Sequence, residues 1–186
     1  MTDDLRLIVR ACEFAARAHA RHRRKDVDQT PYINHLAHVA RLLADAGCDA
    51  NLIAAGYLHD TIEDVDVSFD DLRDAFGPDI AGLVLAVTDD KSLRWRARKQ
   101  AQIDDAPHAS PRVAALKLAD KISNLYSLRD TPPHGWGLTE IANYIAWAHE
   151  VVTRLPDPNP ALLAIYEDIR AQLLVHPPTE TAGDCL

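Results

Sequence analysis

The sequence predicts an all-α, single-domain protein, and three observations carry that prediction. Apolar residues recur at three- and four-residue steps through most of the chain. Prolines at 107, 111, 132, 133, 156, 158 and 160 divide the second half into segments of helical length. No segment shows strong strand-like alternation, an internal repeat or a low-complexity block. A chain of 186 residues, 47% hydrophobic and 26% charged, is sized for one domain with one substantial core.

Taken in order, residues 4–22 carry Leu5, Ile8, Val9, Cys12, Ala15, Ala16 and His19 on one helical stripe. Arg23 to Pro31 is polar and turn-like, and Pro31 biases Thr30 away from helix. A second helix is expected over 33–46, with Val39, Leu42 and Leu43 inward and Gly47 ending it. A third, almost wholly apolar, runs from Ala50 through Leu58 into His59-Asp60. Ser68 and Asp71 form a capping box that starts a short helix stopped by Gly77-Pro78. Residues 79–88 read as a buried helix and Thr88-Asp89-Asp90-Lys91 as a polar loop. Helices are then expected over 93–105, 110–129, 138–155 and 159–174. The domain should therefore occupy residues 1–175, and 176–186, with Pro177 and Pro178, should be a disordered tail.

Bulk properties exclude several roles. A net charge of −8 opposes broad binding to nucleic-acid polymers or anionic membranes, yet permits a small anionic substrate held by a local basic patch. Arg17, Arg21, Arg23, Arg24 and Lys25 form such a patch; a solvated helix end, with cations suited to the C-terminal dipole, would look the same. No run approaches the roughly 18–20 apolar residues of a membrane span. The acidic start, Met1-Thr2-Asp3-Asp4, carries no signal-peptide core. Cys12, Cys48 and Cys185 show no CxxC spacing, and the first two sit among apolar residues. A reduced, cytoplasmic protein is the expectation.

Chemistry concentrates at His59-Asp60-Thr61-Ile62-Glu63-Asp64, which packs three carboxylates and an imidazole into six residues. Neighbours on a helix point about a hundred degrees apart, so His59 and Asp60 reach one ion only at the helix flank, with other elements completing the shell. His35, past the Pro31 turn, and Asp120, within an otherwise apolar helical segment, are candidates to complete it; His38, one turn beyond His35, is a rival. Two imidazoles and two carboxylates suit Mn²⁺, Fe²⁺, Zn²⁺ or Co²⁺. His59 with Glu63, and Asp60 with Asp64, are spaced i, i+4, which would put spare carboxylates beside the ion. Asp120, Asn124 and Ser127 repeat at i, i+4 and i+7, a polar stripe that would also suit a plain solvated face.

The order His35, His59-Asp60, Asp120, with Arg23-Arg24-Lys25-Asp26, Thr30-Pro31-Tyr32-Ile33-Asn34-His35, Val87-Thr88-Asp89-Asp90-Lys91 and Lys117 through Leu125, resembles the HD-domain metal-dependent phosphohydrolases. Within them it is similar to the guanosine tetraphosphate (ppGpp) hydrolases: the hydrolase half of the Rel/Spo enzymes and the small stand-alone alarmone hydrolases. The resemblance covers about residues 5–175 and implies a single HD-domain helical bundle with no synthetase domain. It implies one Mn²⁺ on His35, His59, Asp60 and Asp120, and an acidic pair, Glu63 and Asp64, that handles the attacking water. It further implies Arg24 over the guanine base, Lys25 as a phosphate contact, and Asn124 and Ser127 on the sugar and base side. The activity implied is removal of the 3′-pyrophosphate of ppGpp or pppGpp; the runner-up is another nucleotide phosphatase, such as one acting on the 2′-phosphate of NADPH. A silent nucleotide-binding module would have no need of the full ligand set with its acidic pair. Leu36 departs from the family's usual Pro, and the variable run after Lys25 gives no role to Asp28 or Gln29.

Overall fold

The computed structural model describes residues 2–178, so most of the expected 176–186 tail, with Cys185, lies outside the described residues. Ten α-helical segments follow one another there: α1 (Asp3–Ala18), α2 (Ile33–Asp45), α3 (Ala50–Leu58), α4 (Thr61–Asp64), α5 (Phe69–Phe76), α6 (Pro78–Leu85), α7 (Trp95–Asp105), α8 (Pro111–Asp130), α9 (Leu138–Val152) and α10 (Pro160–Val175). A single 3₁₀ turn, Ala106–His108, separates α7 from α8. Among the described residues the only extended pairing is one antiparallel bridge between Arg23 and Pro31. The all-α expectation holds.

Local chemistry explains the boundaries. Thr2 accepts a hydrogen bond from the Leu5 amide, and Asp3 and Asp4 sit in the first turn of α1, where the helix dipole favours negative charge. The expected capping box forms in both directions at α5, between Ser68 and Asp71. Gly77, at φ +87°, makes the left-handed corner into Pro78, the first residue of α6. Ser110 and Asn159 cap α8 and α10, each followed by Pro in the first turn.

Helix α2 packs between α3 and α8; α1 lies against α3, α10 against α8, and the α5–α6 pair covers α3 through α6. The expected α1 stripe holds in part: Ala15 and His19 are buried and Ile8 and Cys12 partly so. Leu5 and Val9 are about half exposed, while Ala11 and Ala15 are completely buried, so α1 approaches α3 through small side chains. Leu36 is fully buried, which gives the residue in place of the family's Pro a packing role; burying such a side chain contributes about 2 kcal/mol. Helix α8 is buried on most of its surface because α2 and α10 flank it, leaving one polar edge.

Two positions tie the core to the carboxylate-rich segment. Helix α3 ends at Leu58, and Asp60 takes φ −98°, ψ 2° before α4 begins at Thr61. His59-Asp60 therefore occupies a break between helices rather than a continuous one, and the two side chains leave the backbone from a corner. One turn earlier, Gly56 lets α3 press on α2: a Cβ there would stand 2.8 Å from Leu43 Cδ1 and 3.1 Å from Ala40 Cα. We predict that Gly56→Ala destabilises the protein by about 1–3 kcal/mol through overpacking. Thermal denaturation should show a Tm lowered by roughly 2–4 °C per kcal/mol, and an unchanged Tm would refute the close α2–α3 contact.

Candidate active site

The ligand set assembles where α2, the α3–α4 corner and α8 meet. One ligand atom each from His35, His59 and Asp120 lies within 4.8 Å of the others. Asp60 adds a fourth donor, with Oδ2 3.2 Å from His59 Nε2 and 3.6 Å from His35 Nε2. Asp120 Oδ1 stands 3.3 Å from His35 Nε2 and 3.8 Å from His59 Nε2. Both imidazoles are buried and both carboxylate side chains about one-fifth exposed.

Each group is held from behind. The Nδ1 of His59 lies 2.9 Å from the Gly56 carbonyl, which can only accept, so Nδ1 carries a proton and in the neutral ring it is Nε2 that turns a lone pair to the site. That Nε2 is buried and has no hydrogen-bond partner of good geometry, as expected of a metal ligand. Tyr32 donates its hydroxyl to Asp60 Oδ2 at 2.7 Å. Lys121 Nζ donates to Asp120 Oδ2 at 2.9 Å, and Asn124 Nδ2 to Asp120 Oδ1 at 2.7 Å. His35 Nδ1 meets Ser123 Oγ at 2.9 Å. His38, the rival ligand, is turned away and contacts the far side of Ser123 at 3.1 Å.

The electrostatics suit a cation. Burial would raise both carboxyls, but His59 beside Asp60, and Lys121 with the two imidazoles beside Asp120, hold them well below the usual carboxylate range. Burial would lower His59 too, yet Asp60 and Asp120 outweigh it and push it well up; for His35 burial wins and its proton affinity falls. A buried pair of anions facing the two imidazole Nε2 atoms fits a borderline divalent ion, which would take the place of the proton those anions otherwise favour on His59.

The acidic pair divides. Glu63 Oε2 accepts the Asp89 amide at 3.1 Å and Oε1 lies 3.6 Å from Arg98 NH1. Burial, opposed by that amide and assisted by Asp89, Asp60 and Asp64, pushes the Glu63 carboxyl up to about 7. Asp64 turns to the other side, accepting from Lys91 Nζ at 2.7 Å and lining the neighbouring cavity. Lys91 spans both, 3.9 Å from Glu63 Oε1. The charged 88–110 segment is thus, at Asp89, Lys91 and Arg98, a wall of the site.

That neighbouring cavity, of about 270 Å³, is lined by Arg24, Lys25, Asn124 and Ser127, and also by His22, Tyr32, Trp136 and Tyr144. Arg24 donates to Asn124 Oδ1 at 2.9 Å and lies over the Tyr32 ring at 5.6 Å. Its loop is closed by Arg24 N–H to Thr30 carbonyl and by Thr30 N–H to Asp26, with Gln29 at φ +49°. Of the basic run, Arg17 pairs with Glu13 and Arg21 is exposed; only Arg23, Arg24 and Lys25 reach the cavity. Sequence reasoning missed Tyr144 and Trp136, which come from α9 and the loop before it, beyond every motif segment. Tyr32 and Ser123 stand within motif segments, but the sequence gives neither of them a role.

Fold and site together define a divalent-metal-binding, HD-type hydrolase. Residues 11–145 match the HD domain family, and the chain belongs to it. It is similar to the guanosine-3′,5′-bis(diphosphate) 3′-pyrophosphohydrolase MESH1 of Xenopus tropicalis, 43% identical over 87% of this chain and 92% of that protein. The Homo sapiens MESH1 is 44% identical over 82% and 86%. A solved structure, described as a metazoan ortholog of SpoT that hydrolyzes ppGpp and plays a role in starvation responses, superposes with a TM-score of 0.85 at 40% identity, covering 89% of this chain and 94% of that one.

Because Tyr32 fixes the Asp60 carboxylate, Tyr32→Phe should weaken binding of a divalent metal ion, with Mn²⁺ as the probe, by roughly 10–100-fold without unfolding the protein. Titration of Mn²⁺ followed by electron paramagnetic resonance measures this; wild-type affinity in the variant would rule the contact out as a support.

Proposed function

We propose that this protein removes the 3′-pyrophosphate of ppGpp and pppGpp, giving GDP or GTP and pyrophosphate, with a single Mn²⁺ held by His35, His59, Asp60 and Asp120. The observation that carries the reading is the junction of the His-His-Asp cluster with Asp60 beside a cationic, aromatic cavity. The relatives named for this reaction support it at more than 40% identity over most of the chain. We assign one catalytic domain to residues 1–175 and a cytoplasmic setting, in keeping with the unbridged Cys12 and Cys48.

When bound, the ion would supply Lewis-acid stabilisation of the phosphoryl oxygens and a water of lowered pKa. The chain's own residues do the rest. Water must lose a proton as its oxygen bonds to the phosphorus, and the 3′ oxygen must gain one as its bond to phosphorus breaks. Glu63, held by the Asp89 amide and raised toward neutrality, is suited to take and return that proton. Asp64, on the cavity side, would orient the water or the leaving group. Arg24 is fixed by Asn124 with its planar face over Tyr32, so it can stack on a base, while Lys25 at the exposed rim meets phosphate. Asn124 couples both halves, donating to Asp120 and accepting from Arg24, and Ser127 places a hydroxyl on the sugar side.

With Mn²⁺, purified protein should release pyrophosphate from ppGpp; orthophosphate from NADPH with ppGpp left intact would replace this reading by the phosphatase one. Asp60→Ala should abolish metal binding and turnover together. Glu63→Ala should keep the metal and lose about 10²–10⁴-fold in turnover, and equal metal loss in both variants would show the acidic pair misplaced. A carboxyl raised to about 7 is increasingly ionised as pH rises through that value, so turnover should climb across it. In Glu63→Gln that rise should vanish, and a wild-type profile in the variant would remove Glu63 as the base.

A further inference from the structure

The two ligand imidazoles are anchored by chemically different groups. Behind His59 stands a backbone carbonyl, which has no proton to give and fixes the tautomer by itself. Behind His35 stands a serine hydroxyl, which can donate or accept equally well. Ser123 therefore leaves the His35 tautomer undecided, and the decision passes one link outward.

That next link is present. Ser123 Oγ, on a residue 1% exposed, lies between His35 Nδ1 at 2.9 Å and His38 Nδ1 at 3.1 Å. The hydroxyl has a single proton. If His38 presents an Nδ1 lone pair, Ser123 donates outward to it and must accept from His35, whose proton then sits on Nδ1 and whose Nε2 lone pair faces the ligand cluster. If His38 carries its proton on Nδ1, the hydroxyl accepts there and its own proton is free to turn to His35 Nδ1, which leaves His35 able to hold its proton on Nε2, 3.3 Å from Asp120 Oδ1 and in the way of a metal. His38 itself is half-buried, its ring edge-on to Tyr126 at 5.3 Å, and it opens onto a polar cavity of about 310 Å³ behind the site. Its Nε2 thus has room to carry the remaining proton.

We propose that Ser123 and His38 form a two-link positioning relay, His35 Nδ1–H to Ser123 Oγ–H to His38 Nδ1, which sets the tautomer of His35 and makes its Nε2 a metal donor. Neither residue touches substrate. The relay rests on His35 being a ligand, as the proposed function holds. It gives the His38 that rivals His35 in the sequence a different duty: the last member of a hydrogen-bond chain.

Metal-loaded protein tests it. In the Zn²⁺ form, which is diamagnetic, ¹⁵N shifts of labelled histidine should show His38 protonated on Nε2 with Nδ1 accepting; a proton on Nδ1 would overturn the proposal. Ser123→Ala and His38→Phe, the latter keeping a ring against Tyr126, should each weaken Mn²⁺ binding about tenfold or more. Ser123→Thr, which keeps the hydroxyl, should bind more tightly than Ser123→Ala. In activity, the Mn²⁺ concentration for half-activation should rise while turnover at saturating Mn²⁺ stays near wild type. Wild-type affinity in both Ser123→Ala and His38→Phe, or loss in Ser123→Ala alone with no recovery by Thr, would refute the relay. Absence of Mn²⁺ binding by the wild-type protein would instead bring down the metal centre, and the relay with it.

Discussion

Two carboxylates and two imidazoles meet inside a helical core, and the cost of burying them organises everything nearby. An ion taken from water into a protein interior carries a penalty of several kcal/mol unless it is paired and hydrogen-bonded. Here Tyr32 supports Asp60, Lys121 and Asn124 support Asp120, the Gly56 carbonyl supports His59 and Ser123 supports His35. These supports come from the start of α2, from α3 and from α8. The cluster can exist only where those three helices converge, so packing of the core and assembly of the site are one requirement. Gly56 serves both, admitting α2 closely on one side and anchoring His59 through its carbonyl on the other.

The helices are legible in the sequence because their periodicity is long and their stops are chemical. Ser68 with Asp71, Gly77-Pro78, Ser110-Pro111 and Asn159-Pro160 each act within a few residues, and each appears where the pattern places it. Two local readings hold only in part, for the same reason. Of the α1 stripe, Ala15 and His19 are buried but Leu5 and Val9 are about half exposed, since contact with α3 is set by the small Ala11 and Ala15. His59 through Asp64 reads as one helical run, but Asp60 breaks it. Periodicity reports which residues could share a face, while the neighbour across the interface decides which face is used.

Site residues show the same division. His35, His59, Asp60 and Asp120, which the fold brings together, stand out in the sequence through motif order, as do Arg24, Asn124 and the acidic pair as candidates beside them. Their supports are harder to see. Ser123 is inconspicuous in sequence, and its importance comes from two histidines 88 and 85 positions away. Trp136 and Tyr144 line the cavity because the loop before α9 is pinned to the Arg24 loop by His134 N–H donating to the Lys25 carbonyl at 2.7 Å. No spacing rule encodes such a backbone tether.

The unequal settings of Glu63 and Asp64 bear on how an acidic protein can act on a highly charged anion. Lys91 is about half exposed, and an ion pair in that position contributes only about 0–1 kcal/mol. Its hold on Asp64 is therefore weak. Glu63 is held differently, by a part-buried hydrogen bond from the Asp89 amide, worth about 1.5–3 kcal/mol when the carboxyl is ionised. One carboxylate of the pair is therefore fixed and the other free to yield its cation. A net charge of −8 is compatible with a polyanionic substrate, because Arg24 and Lys25 gather at the cavity while Lys91 and Arg98 stand beside the acidic pair.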